Sequence, residues 1–213
     1  MTAPTRWVRV TVAMESAVGS DKTISAITKA SPGVVSSTSH GISDGAYVRY
    51  SVNGMSQLDG RVLRIDNPAT SAWDIEGIDT TNFGTFTSGT AEEITFGTSF
   101  TTLMEMQSSG GEQQYENYRY LHEDVERQLP TYRSPQRYNF ESAWLPTNAA
   151  LLAIEARADA GTETAVKVTF DNGSIFVFSG SPECILAPLG QGGGIVRCNF
   201  GFNVNGRGKA YAS

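Results

Sequence analysis

Apolar and polar residues alternate with a period of two along most of the chain. The run 6–15, RWVRVTVAME, puts Trp7, Arg9 and Thr11 on one face and Val8, Val10 and Val12 on the other, which predicts a strand. A small-residue break, SAVGSD at 16–21, follows it. From Thr23 to Gly89 the strands become short and evenly spaced: TISAIT (23–28), GVVSST (33–38), AYVRYSV (46–52), RVLRID (61–66) and AWDIEGI (72–78). The intervening SPG, HGISDG, NGMSQLDG and NPATS supply the Gly, Pro, Asn and Asp that turns require. Five strands packed so closely predict a small β-barrel or sandwich.

After GTFTSGTAEE (84–93) longer alternation resumes. In 94–106 one strand is expected, with Ile94, Phe96, Phe100, Met104 and Met106 inward and Thr95, Ser99, Thr101 and Glu105 outward. A polar segment, 107–135, carries Tyr115, Tyr118, Tyr120 and Tyr132. A loop this long inside a domain is usually functional, and tyrosine offers amphipathic contact area at little entropic cost. The run 136–144 reads as a strand with Tyr138, Phe140 and Trp144 inward. Thr147 is placed to cap a helix with Leu151, Leu152, Ile154 and Ala158 on its apolar stripe, ended by Gly161. The sequence DNGS (171–174) between alternating runs predicts a hairpin, and 195–204 a last strand before a polar tail at 205–213.

Composition agrees with an all-β reading: charged residues are 18% of the chain, below the usual quarter, and glycine supplies 22 residues. A net charge of −6 argues against a grip on nucleic acid, which needs clustered cations. His40, Asp44 and Asp59 fall in turn sequences, and His40 is expected at the surface with no ligand-spaced partner. The glycines of GQGGG (190–194) precede a strand, whereas a phosphate cradle needs a helix N-terminus. HEDVE (122–126) reads as a solvated loop, and no Ser-His-Asp arrangement is suggested. No catalytic, cofactor or metal site is therefore expected. Cys198 is expected as a buried thiol, with a disulfide to Cys184 only if their strands are adjacent. No apolar run reaches membrane-spanning length, and the N-terminus enters a strand pattern without a secretory apolar region, so a cytoplasmic origin is expected.

Residues 121–208 combine a polar arm ending in RQLPTYRSP, a strand ending in FESAW, a Pro-initiated helix, the hairpin VTFDNGSIFVFSG and a final strand. This order resembles the tail tube protein of long-tailed (siphovirus-like) bacteriophages. The lines TISAITKASPGVVSSTSHGISDGAYV and GMSQLDGRVLRID resemble a small β-domain found in phage proteins and named after part of ubiquitin-activating enzymes. The resemblance implies a mainly β protein: a tail-tube-type β-sandwich from residues 1–19 plus 93–213, with one flanking helix at about 147–160. It further implies a polar inter-ring arm at 107–134 and an inserted β-barrel or sandwich domain at 20–92 that projects outward.

The implied function is that of a structural virion protein. Hexameric rings would stack into a hollow tube that holds the tape-measure protein, meets tail tip and terminator proteins, and passes the genome to the host. Glu105, Glu141, Asn139, Thr101 and Asn199 are candidate lumen-facing residues, since an acidic or neutral wall would let DNA slide. Arg137, Lys167 and Arg197 interrupt that polar set. Tyr115, Tyr118, Tyr120 and Arg127 are candidate inter-ring contacts. The alternative is a tail adhesin or carbohydrate-binding module that works through 23–89; an enzyme ranks third.

Overall fold

A computed structural model describes residues 5–212; positions 1–4 and 213, the ends of the expected sandwich portion, lie outside the described residues. The first half holds β1 (Thr11–Val18), β2 (Lys22–Ile24), β3 (Ala26–Ile27), β4 (Val34–Ser36), β5 (Tyr47–Asn53), β6 (Val62–Ala69), β7 (Ala72–Ile75) and β8 (Ser88–Phe100). Next come β9 (Leu103–Gly110), β10 (Gln113–Tyr118), β11 (Arg127–Arg133), β12 (Gln136–Ala143) and the single helix α1 (Ala149–Asp159). The chain closes with β13 (Thr164–Thr169), β14 (Ile175–Cys184), β15 (Arg197–Val204) and β16 (Lys209–Tyr211). The expected mainly β architecture with one helix is what forms.

One antiparallel sheet runs in the order β3-β4-β7-β6-β5-β8-β1-β13-β14-β15-β12-β9, with β2 and β16 attached to β8 and β14. In a flat sheet β8 and β15, four strands apart, would be about 19 Å from each other. Their Phe100 and Phe200 rings instead stack at 5.1 Å, so the sheet curls over on itself. Its concave side buries Val12, Met14, Phe140, Phe178 and Phe202, and α1 covers it with Leu151 and Ile154. A second core, around Trp73, Tyr50, Leu63 and Ile75, belongs to β2–β8. There the buried Trp73 indole N–H donates to the Tyr50 hydroxyl at 2.9 Å.

The latter part of the expected interruption, 88–93, belongs to β8, which passes through both regions. Its first half pairs with β5 from Asn53↔Ser88 to Tyr47↔Ile94. Its second half pairs with β1 from Val18↔Ile94 to Val12↔Phe100. Gly89 weakens the strand signal in sequence, yet it is what lets β5 approach, because a Cβ there would lie 2.6 Å from the Ser51 carbonyl oxygen.

Other expectations change in detail. Arg9 has a left-handed φ of 54°, so the strand begins at Thr11 and leaves Trp7 and Val8 exposed. The long strand expected over 94–106 bends at Thr101–Thr102, and a bulge between the pairs Glu141↔Glu105 and Ser142↔Leu103 turns Met104 outward. Asn148, rather than Thr147, caps α1: its Oδ1 accepts from the Ala150 and Leu151 N–H groups at 2.9 and 3.3 Å. Leu152 is exposed and leaves the apolar stripe. Two stretches read as loop are strands, the arm (β10 and β11) and the tail (β16). His40 is buried: its Nδ1 accepts from the Ile42 N–H at 3.1 Å, so the proton sits on Nε2, which donates to the Ala69 carbonyl at 2.6 Å. Its ring meets Trp73 edge-on at 4.7 Å, making it a core histidine that a turn-rich sequence disguised.

Candidate assembly surfaces

Two surfaces and one buried junction gather the residues of interest. The first surface is the outer face of β9, β12, β15 and β14. Alternation on β12 sends Tyr138 and Phe140 inward and Arg137, Asn139 and Glu141 outward. Register then sets Glu141 beside Glu105 on one side and Asn199 on the other. Asn139 lies opposite Gln107 and Gly201, and a Cβ on Gly201 would come within 3.0 Å of Asn139 Oδ1. Four of the five candidate lumen residues, Glu105, Glu141, Asn139 and Asn199, are therefore brought together; Thr101 sits apart, at the bend after β8.

The arginines that interrupt this set are neutralised within the sheet. Arg197 pairs with Glu141 at 2.5 Å, and Arg137 pairs with Glu183 at 2.8 Å. Arg137 Nε also donates to Asn139 Oδ1 at 2.7 Å. Lys167 lies elsewhere, over the rings of Phe96 and Tyr47 at 5.0 and 5.5 Å, where burial lowers its pKa. The four-strand face is thus polar, with each outward guanidinium balanced by a carboxylate.

The second surface is the arm. β10 and β11 form a hairpin apart from the main sheet, and none of its residues enters a buried core. Its base turns through Gly110 and Gly111, both at positive φ; a Cβ on Gly110 would lie 2.0 Å from the Pro135 carbonyl oxygen. Toward the tip Tyr118 meets Tyr120 edge-on at 5.6 Å, and Arg127 bonds Glu123 at 3.0 Å and lies 6.0 Å over the Tyr120 ring. Tyr118, Tyr120 and Arg127 thus cluster, while Tyr115 sits apart, opposite Pro130. Leu121, Val125 and Leu129 are also exposed there. Their signal was available as apolar residues inside a polar segment, the usual mark of a contact surface.

The junction joins the two cores. Glu15 is 2% exposed, on β1 next to a register shift. Its carboxylate takes an ion pair from Arg49 on β5 and another from Arg157 on α1 at 2.5 Å, and accepts the Ala165 N–H at 2.9 Å. Around it Tyr47, Val62, Ile94, Val177 and Tyr211 form a third buried cluster. The Tyr211 hydroxyl accepts the Arg64 N–H at 2.7 Å, which ties β16 to β6.

Both cysteines are free and buried. Their strands are adjacent, but Cys184 faces Phe200, two residues along β15 from Cys198. Diagonal neighbours on a sheet face are about 7–8 Å apart, too far for a disulfide. Burial pushes the Cys184 thiol up to about 12, helped by Glu155, and raises Cys198 as well. Burial also raises the phenols of Tyr50 and Tyr211. The unfolded chain would release these protons from about pH 9 upward, while the folded chain keeps them. Stability is expected to fall as pH rises from about 9 toward about 12, read as a declining urea midpoint; a flat profile would contradict it.

Among the described residues no cluster of three or more His, Cys, Asp or Glu side chains could hold a metal ion, and no helix is long and apolar enough to cross a membrane. No curated protein matches the chain. A family model described as phage tail tube protein (TTP) matches residues 53–196, from the end of β5 to the residue before β15. That span holds the arm, α1, the β13–β14 hairpin and most of the polar face, and it covers about two-thirds of the sequence, so the chain belongs to the phage tail tube protein family.

Proposed function

We propose that copies of this chain close into hexameric rings and that the rings stack into a hollow tail tube delivering the genome to the host. The observation that carries this reading is the β9–β12–β15–β14 face. It is wide, polar and internally neutralised, a wall that DNA could pass without being held by fixed cations. In this reading Glu105, Glu141, Asn139 and Asn199 face the lumen, with Thr101 near its rim. The tape-measure protein occupies the tube first, and tip and terminator proteins close its ends. Tyr118, Tyr120 and Arg127, with Tyr115 nearer the base, bridge to the next ring through the exposed arm. The tube portion comprises 1–19 plus 93–213, and 20–92 forms a decoration on the outside; the separate core around Trp73 supports that division. The role is structural, without catalysis, and assembly takes place in the host cytoplasm.

Sedimentation velocity over a concentration series, followed by negative-stain microscopy, tests the proposal. Rings and filaments of uniform width are expected. A small oligomer of fixed size at every concentration would overturn it and favour a tail adhesin acting through 23–89.

A further inference from the structure

At the base of the arm lies a groove of about 1230 Å³, between the first turns of the arm, the loop before β16 and the β5–β6 connection. Its wall carries Arg61, Arg133 and Arg207 and no acidic residue, in a chain of net charge −6. Among the described residues none of the three forms an ion pair. The Arg61 guanidinium donates to the carbonyls of Arg207 and Gln57, each at 3.3 Å, and burial lowers its pKa. Phe83, Tyr138 and Phe176 add apolar surface. Arg61, half-buried without a counter-charge, loses solvation uncompensated, and the exposed Arg133 and Arg207 add positive potential to the same half-apolar groove, which makes it an incomplete site.

The arm tip offers the complement. Asp124 and Glu126 are exposed, and between and beside them Val125 is 66% and Leu121 103% exposed. Within one subunit the two features cannot meet, because the six residues of β10 set the tip about 20 Å beyond the base. We infer that the groove receives the acidic, apolar arm tip of a second copy of this chain, Asp124 and Glu126 meeting Arg133, Arg207 and Arg61. Tip and groove are different patches of one subunit, so the contact is heterologous. Each copy that accepts a tip offers its own onward, and the series does not close. This inference rests on the stacked-tube reading and assigns the arm its acceptor, which includes Arg61 from the expected inserted segment.

A charge swap in the full chain tests it. Arg133, Arg207, Asp124 and Glu126 are exposed, so R133E/R207E and D124R/E126R should unfold at the wild-type midpoint. Each pair alone is expected to raise the critical concentration for polymer, measured by pelleting, about tenfold. The chain carrying all four substitutions should return to within about threefold of wild type, since the attraction is restored with its sign exchanged. Added salt should weaken wild-type polymer in the same direction. Unchanged polymer from R133E/R207E would overturn the groove and leave the tube standing. Failure of the four-fold variant to recover would show that tip and groove do not meet. A wild-type chain that never polymerises would remove both readings together.

Discussion

Replacing Glu15 with alanine is expected to cost about 3 kcal/mol of folding stability. Glu15 is 2% exposed, and its two arginine partners are 17% and 24% exposed on the side-chain scale. Alanine would leave both guanidiniums partly buried without their carboxylate and strip the Ala165 N–H of its acceptor. The partners' partial access to water holds the figure at the low end of what breaking a buried pair costs. Glu15→Gln keeps an acceptor near Ala165 and should lose less. Because Glu15 joins β1 to β5, α1 and β13, its loss should also loosen one core against the other. In a W7F/W144F background, urea unfolding followed by Trp73 fluorescence and by far-UV signal would then cease to coincide. A loss under about 1 kcal/mol would mean that water replaces the carboxylate at both arginines.

Deleting residues 112–126 should abolish tubes of normal length while leaving the subunit folded. The hairpin contributes no residue to any buried core, so its removal exposes little that was covered. It does remove Tyr115, Tyr118, Tyr120, Leu121 and Val125, all exposed and outside the subunit's buried cores. Such aromatic anchors commonly hold most of an interface's energy. The expected readout is a monomer or single ring with a wild-type thermal midpoint and no filaments by negative stain. Normal-length tubes from the deleted chain would refute the arm's role.

The sequence was most legible where local chemistry decides. The short strands AYVRYSV and RVLRID appear as β5 and β6 within a residue or two at their starts, because Gly and Asp turns bound them on both sides. The DNGS hairpin forms between β13 and β14 for the same reason. Alternation on 136–144 named Tyr138 and Phe140 as buried and so set Asn139 and Glu141 outward, before any partner strand was known. Errors gather where a residue's state depends on a distant neighbour. Gly89 and the small residues around it read as a break, yet pairing with β5 holds them in a strand of 13 residues. His40 read as surface because its partners, Ala69 and Trp73, are about thirty residues away.

The chain's alternation, turn chemistry and helix signals by themselves determined that this protein is β-rich, where most strands lie and which of their faces are apolar, since period-two patterning and Gly-Asn-Asp turns act over a few residues. Only the tertiary structure decided that Glu141 stands between Glu105 and Asn199, that Arg137 and Arg197 are neutralised, that Glu15 binds both cores and that Arg61, Arg133 and Arg207 share one groove. Strand order and register bring those groups together across tens of residues, and no local preference encodes which strands become neighbours.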